Sequence, residues 1–423
     1  MLAAVVATSM WFYVNGILRV HQIADANARQ VPRGNLSDLY PRWWGTRELL
    51  LHHRNPYGHD VTLEIQEGYY GRRLDPARPN DPKDQQGFAY PVYVVFLLAP
   101  LVWVPFPALM VGFYWLLIIS TALSVLLWRC VLKWPLRVTD VVICVTLILG
   151  SFAAVQGIKL QQLSLLVAAL MAGAVACVAG GHLFVGGALL ALAAIKPQLA
   201  WALAAWLLAW AVSDWRNRRR FVLGFAIVMV LLLAGAEIVL PGWVGMFTDA
   251  VRRYHGYTQN RSVLDELVPW ASAGKILAVA AAVASATVLW RKRSVVNNAA
   301  GFGQAPALVL ALTVLVVPMY APYNQVLLLP AILVLARDRT IFFSRSRGVR
   351  FLYLSGALAL AWQWIASLTL SAACLFVSRT WTLDRWQWPF LATFALPVVV
   401  FALIFLDMTF LGKPCKLASA RLS

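Results

Sequence analysis

Acidic side chains are scarce in this chain, and cysteines scarcer still. Only 18 of its 423 residues are Asp or Glu against 36 Lys and Arg, and charged residues make up 13% of the whole. The five cysteines, Cys130, Cys144, Cys177, Cys374 and Cys415, lie in apolar runs or beside basic residues, with no CxxC or Cys/His ligand spacing. That excludes a disulfide-stapled scaffold and leaves a structural zinc site unsupported. His59 adjoins Asp60, so a divalent metal is possible in this loop, but no ligand spacing supports one and no cofactor is certain. No basic segment precedes the apolar run at residues 2–18, and no small-x-small cleavage site follows it. It therefore reads as an uncleaved first span. Internal repeats are missing. So are long polar stretches, with one exception at residues 19–90.

What fills the chain instead is apolar. Hydrophobic residues reach 61%, with a mean hydropathy of +0.70, which places it among polytopic membrane proteins. Runs near the ~20 residues needed to cross a bilayer occur at 2–18, 108–132, 141–155, 163–178, 222–240, 271–289, 351–377 and 390–411. Shorter runs at 183–195, 199–212, 307–317 and 326–336 read as spans ending in polar tips. The expectation is an all-α polytopic membrane protein, a single domain of about twelve transmembrane helices.

The net charge of +18 is carried by short clusters: Arg129/Lys133/Arg137, Arg216 to Arg220, Arg291/Lys292/Arg293, Arg337 to Arg350, and Lys413, Lys416 and Arg421. Such clusters mark the cytoplasmic ends of spans, so nucleic acid is not expected as a partner. Residues 91–104 are too short to cross and are broken by Pro100, so they read as a re-entrant or surface-lying helix on the outer face. Both termini then fall inside. Outside fall the first loop (19–90), a second loop (241–269), the turn with Gln156, Lys159, Gln161 and Gln162, the Lys196-Pro197-Gln198 tip, and the Tyr320 to Gln325 tip. Polar groups at membrane depth are costly and tend to mark function.

The first loop holds half of all the acids: Asp25, Asp38, Glu48, Asp60, Glu64, Glu67, Asp75, Asp81 and Asp84. Asp38 stands out as a candidate general base near the membrane surface. It lies in NLSDLYPRWWGTRELLLHHRNPYGHD, residues 35–60. Arg42 follows it by one helical turn. Lys159 and Lys196 are lone cations at the tips of apolar helices, and Arg252, Arg253 and His255 occupy the second loop. Cations of this kind can stabilise a phosphate leaving group. Other readings stand beside these. Asp38 can cap the helix after it, Arg42 can pair with Asp38 or Glu48, and Lys196 can snorkel to the interface. His52, His53 and His59 read as solvated. Trp43 and Trp44 read as interfacial, with sugar stacking the lesser option. Gln161/Gln162 and Asn324/Gln325 serve equally as glue between helices.

Four further motifs follow: FAYPVYVVFLLAPL (88–101), QGIKLQQLSLLVAAL (156–170), GGALLALAAIKPQLA (186–200) and YNQVLLLPAILVL (323–335). In this order, after the NPY at 55–57, they resemble glycosyltransferase family 87, with the resemblance covering roughly residues 2–336. The resemblance implies a GT-C fold. It also implies an inverting transferase that moves mannose or a related sugar from a polyprenyl-phosphate donor to a lipid or glycan acceptor. The enzyme would be embedded in the lipids of a bacterial-type inner membrane with its active site outside. Asp38 takes the position of the family's base and Lys196 that of its lysine before proline. The implied contacts to the rest of the substrate fall on Tyr57, Tyr90, Gln156, Gln162, Gln198, His255, Tyr320, Tyr323, Asn324 and Gln325. Two departures stand out: Asn324 replaces a frequent Asp, and Tyr320 lies where some members have a histidine. The competing reading is a transporter or flippase for a lipid-linked or anionic solute, a class that often shows inverted repeats and broken helices.

Overall fold

The computed structural model describes residues 1–32, 37–258, 261–268, 270, 272–299, 301–318 and 320–411. Asn35 and Gln259, together with Lys413, Cys415, Lys416 and Arg421 of the basic tail, lie outside the described residues. Among the described residues every regular element is helical. Six helices are long and apolar enough to cross a membrane: Leu2–Ala28, Phe106–Val131, Trp215–Val239, Ala273–Arg291, Arg347–Ala373 and Arg379–Phe410. A seventh span is formed if the bent pair Val138–Leu149 and Phe152–Lys159 counts as one. The protein is an all-α polytopic membrane protein.

The remaining apolar runs are helices of 10–17 residues: Leu163–Ala179, Leu183–Ala193, Pro197–Val212, Gln304–Val316 and Pro322–Arg337. At 1.5 Å per residue, the 11 residues of Leu183–Ala193 reach roughly half of a ~30 Å hydrocarbon core. Length and composition therefore support six or seven full spans among the described residues, and the count of twelve is not confirmed. The short helices end in turns that carry polar side chains, and those turns build the site described below.

The first helix does not stop at residue 18. It passes through a π-turn at Tyr13–Leu18 and continues as Arg19–Ala28. A helix satisfies its own backbone hydrogen bonds in water as well as in lipid, so the change to polar side chains does not end it. The bent pair has a local cause. A side chain at Gly150 would meet the Cα of Ala7 at 2.4 Å, so the span breaks where it touches the first helix. Ser151 Oγ then caps the next segment by accepting from the Ala154 N–H.

Close helix contacts rest on missing side chains. A Cβ at Gly187 would lie 2.1 Å from the carbonyl oxygen of Phe221, and one at Gly224 would lie 2.1 Å from that of Phe184. These glycines let Leu183–Ala193 and Trp215–Val239 touch backbone to backbone, the small-residue packing of membrane helices. Beside them, buried Arg218 donates to the carbonyls of Trp210 and Val295 and stacks 4.1 Å over the Trp210 ring. With the partly exposed Asp214 carboxylate 3.7 Å away as its ion-pair partner, it ties a basic turn to the bundle.

The first loop folds into two helices, Tyr40–His52 and His59–Tyr70, joined by a turn in which Asn55 Oδ1 accepts from the Tyr57 N–H. Tyr40, Trp43 and Phe106 cluster beneath them. Trp43 is 3% exposed and donates to the Leu101 carbonyl, while Trp44 donates to Glu64. These indoles hold the loop down. Residues 91–104 hold only Val94–Leu98 and a 3-10 turn at Ala99–Leu101, too short to cross, and Tyr93 Oη pins them by donating to the Ala194 carbonyl.

Gly187→Ala is expected to lower stability by about 2 kcal/mol, since the added carbon meets backbone and cannot be repacked. Gly112→Ala, where nothing lies within 4 Å of the added carbon, is expected to leave stability unchanged or slightly raised. Thermal unfolding of both variants in detergent checks the contrast.

Candidate active site

Ion pairing sorts the nine carboxylates of the first loop. Asp25 pairs with Arg29, and Glu48, Asp60 and Glu64 all pair with Arg54. Asp81 pairs with Arg72, Glu67 with Arg73, and Asp75 with Arg78. Only Asp38 and Asp84 have no ion pair among the described residues, and both line the same cavity, of about 370 Å³. Seven acids hold the loop's shape. Two face open space.

Asp38 is not a helix cap. The following helix begins at Tyr40 with Leu39 at its N-cap and no side-chain cap bond. Instead, the Asp38 backbone N–H donates to the Leu160 carbonyl at 2.9 Å, and its carboxylate accepts from the Gln162 amide. Ser37 bonds Gln161, whose own amide donates to the Met110 carbonyl at 2.7 Å. The glutamine-rich turn is thus a clasp for the start of the first-loop helix. Gln161 adopts a left-handed φ of 53°, a conformation unusual outside glycine that clusters at functional sites.

From Asp38 a row of hydrogen bonds runs through the wall. Lys196 Nζ donates to Gln162 Oε1 at 3.1 Å and to Ser164 Oγ at 2.6 Å. Ser164 Oγ in turn donates to Asn324 Oδ1 at 2.9 Å. Lys196 is 3% exposed, so it does not snorkel, and among the described residues no carboxylate pairs with it. Its direct neighbours are neutral amides, the Ser164 hydroxyl, the hydrogen-bonded Tyr90 and the Tyr323 ring, at 5.9 and 5.3 Å from the two ring centres. Burial lowers its pKa, with the Asp38 charge acting against that and the Arg42 charge with it. Lys196 also sits at the N-cap of Pro197–Val212, where the helix dipole adds positive potential.

Arg42 does not pair with Asp38 or Glu48. Its guanidinium donates to the backbone carbonyl of Asp38 at 2.6 Å and lies 4.6 Å over the Tyr90 ring. Its Nε has no hydrogen-bond partner among the described residues, and the same is true of His255 Nδ1. Both residues line the cavity. Buried polar nitrogens left unsatisfied in a cavity wall suit a site that binds a polar ligand. Burial pushes the Asp38 carboxyl above its ordinary range, opposed chiefly by Arg42 and reinforced by the Asp84 charge. Asp38 keeps some exposed surface because it lines the cavity. Burial likewise raises Asp84.

The candidate residues read from the sequence separate into groups. Asp38, Arg42, Tyr90, Gln162, Lys196, Gln198, Arg252, His255 and Tyr323 share the cavity. Arg252 sits exposed and pairs with Asp249. Asn324 joins indirectly, through Ser164. Arg253 and Tyr57 line a neighbouring cavity of about 250 Å³, and Tyr57 Oη donates to the Tyr90 carbonyl. Lys159 lies off the cavity wall beside Gln22. Gln156 is buried and its Oε1 has no partner among the described residues. Gln325 bonds the Thr393 carbonyl, and Tyr320 stacks on Phe394 at 4.3 Å; these two pack the late tip. His52, His53 and His59 are exposed. Sequence reasoning passed over Asp84, Gln86 and Tyr254, which line the cavity, and Ser164. Asp84 was visible as one acid among nine, but only the pairing of the other seven singles it out. Among the described residues no group of three or more His, Cys, Asp or Glu side chains is arranged to hold a metal.

A family model for glycosyltransferase family 87 matches residues 88–318, more than half of the chain. The chain belongs to glycosyltransferase family 87. It is therefore a membrane glycosyltransferase, which requires a sugar donor and an acceptor. Comparison with curated proteins and with solved structures gave no match. The family 87 segment takes in Tyr90, Gln162, Lys196, Arg252 and His255, while Asp38 and Asp84 precede it and Tyr323 follows it. Folding brings both carboxylates onto the matched segment's own cavity.

The ion-pair sorting predicts a split among acid-to-amide variants. Asp60→Asn, Glu67→Gln and Asp75→Asn remove surface pairs and are expected to keep sugar-transfer activity within about threefold. Asp38→Asn is expected to lose roughly a hundredfold or more. Initial rates of the four purified variants measure the difference.

Proposed function

We propose that this family 87 enzyme transfers a sugar, mannose or a close relative, from a polyprenyl-phosphate donor to an acceptor hydroxyl on the outer face of the membrane, within a GT-C architecture. The reading rests on one observation above all: Asp38 and the uncompensated Lys196 charge are joined through a single glutamine in one cavity wall. A carboxylate and an unneutralised cation at that spacing are the two groups that glycosyl transfer to a hydroxyl requires.

In this mechanism Asp38 takes the proton of the acceptor hydroxyl as its oxygen bonds the anomeric carbon of the donor sugar. The bond between that carbon and the phosphate oxygen breaks, its electrons stay with the polyprenyl phosphate, and a single displacement inverts the anomeric centre. Lys196, with Arg42 and Arg252 nearby, offsets the charge that grows on the departing phosphate. Gln162 coordinates the two halves, giving its amide N–H to the base and its oxygen to the lysine. The short apolar turn of residues 91–104 supplies a surface on which the polyprenyl chain can lie beside the cavity. Raising the basicity of Asp38 by burial favours proton removal. The nearby Arg42 and Lys196 charges oppose that rise and favour the ionised form.

Three outcomes test the proposal in proteoliposomes supplied with labelled polyprenyl-phosphate mannose. Asp38→Asn is expected to reduce transfer by two to four orders of magnitude, roughly the worth of a general base; transfer at the native rate would sink the assignment. Lys196→Met, which keeps the buried volume, is expected to raise the donor KM about tenfold or more and to lower kcat. The base acts only when deprotonated, and burial raises its pKa. The native kcat/KM should therefore fall as pH drops through an apparent pKa above the ordinary aspartate value of about 3.9. The residual activity of Asp38→Asn should lack that acid limb.

A further inference from the structure

With seven loop carboxylates paired and Asp38 assigned as the base, Asp84 is the one first-loop acid left without a task. It sits on an irregular stretch of chain at residues 84–89, turned at Gln86 by a left-handed φ of 53°, that lies between the two neighbouring cavities, since Gly87 and Ala89 line both. Its carboxylate is held in place by neutral donors, with the Arg42 charge acting only through space. Oδ1 accepts from the Gln86 backbone N–H at 2.9 Å and Oδ2 from the Gln86 amide at 2.8 Å. The Tyr257 hydroxyl also bonds the carboxylate, and Tyr70 Oη fixes the Asp84 carbonyl at 2.8 Å. An ionised carboxylate offers about four acceptor directions. Three neutral donors leave capacity on the side that faces the cavity.

A partly buried carboxylate with no ion pair is costly to keep, and its charge repels a phosphate. The ligand group that complements it is a neutral donor, namely a hydroxyl. The unsatisfied nitrogens of Arg42 and His255 in the same wall point to a polar ligand filling that space. We infer that Asp84 is a sugar-binding residue: it accepts a hydrogen bond from a hydroxyl of the sugar in the cavity and so sets that sugar's position relative to Asp38. This rests on the reading of Asp38 as the base. The hydroxyl can belong to the donor sugar or to a sugar acceptor, and kinetics separate the two.

The experiment uses the full chain in proteoliposomes with labelled polyprenyl-phosphate mannose. Hydrolysis of the donor by water is measured beside transfer to methyl α-mannoside, for the native protein, Asp84→Asn, Asp84→Glu and Asp38→Asn. Loss of a hydrogen bond to a charged group is expected to raise the KM of one sugar roughly ten- to hundredfold in Asp84→Asn, with a smaller change in kcat. Asp84→Glu, which keeps the charge, is expected to recover part of the loss. An increase confined to methyl α-mannoside, with hydrolysis unchanged, assigns the hydroxyl to the acceptor. An increase in donor KM in both reactions assigns it to the donor. Unchanged KM values for both sugars in Asp84→Asn would overturn the inference. Full activity of Asp38→Asn would instead overturn the base assignment, and it is read independently of the Asp84 variants. A kcat for donor hydrolysis that stays measurable in Asp84→Asn at saturating donor, with thermal unfolding at the native temperature, separates lost sugar binding from a lost fold.

Discussion

The Lys196 ammonium group is 3% exposed and has no carboxylate partner among the described residues, and the polar end of the molecule is arranged around that charge. Burying an uncompensated cation costs several kcal/mol, so each element that reaches it brings an acceptor. Gln162 comes from the glutamine-rich turn and Ser164 from the helix after it, with Asn324 behind the serine on the late tip. Through Gln162 the same network extends to Asp38 and thereby to the first loop. None of these neighbours is charged except at the far end of the row. The arrangement positions the lysine without neutralising it, which leaves its charge available to a ligand.

The asparagine at position 324 fits this arrangement. It accepts a hydrogen bond from Ser164, a task an aspartate oxygen could also perform. An aspartate would add a negative charge two hydrogen bonds from the ammonium group. The neutral amide keeps the potential of the cavity positive on the lysine side, while the two carboxylates lie on the first-loop side.

Sequence reasoning reached the helical membrane class, the clustering of polar tips, and Asp38, Lys196 and Gln162 as members of one group. These were legible because lipid imposes a simple rule: a polar residue within or beside an apolar run needs a reason to be there. The number of full spans was less legible. Apolar composition is the same whether a helix crosses or ends half-way, and only the helix lengths distinguish the two. Lys159 illustrates a second limit. It looks like Lys196 in sequence, a lone cation at a helix tip, yet it lies beside Gln22 and off the cavity wall. Rotation about a helix axis decides which way a tip residue faces, and a lone residue carries no periodicity from which to read it.

What the sequence by itself determined is the material: apolar helices, basic turns, and one acid-rich loop with an aspartate at its entrance. Those follow from local composition, since partition between lipid and water is additive over a segment. Only the tertiary structure decided which acids are available for chemistry. Seven of nine are neutralised by arginines, each within about ten positions in the chain, and for Glu48, Asp60 and Glu64 the pairing depends on how two short helices turn back on each other. Asp38 and Asp84 are separated by most of the loop and fall outside the family-matched segment, yet they face one cavity that this segment builds. Electrostatic pairing is a property of distance in space, and that distance exists only once the loop has folded.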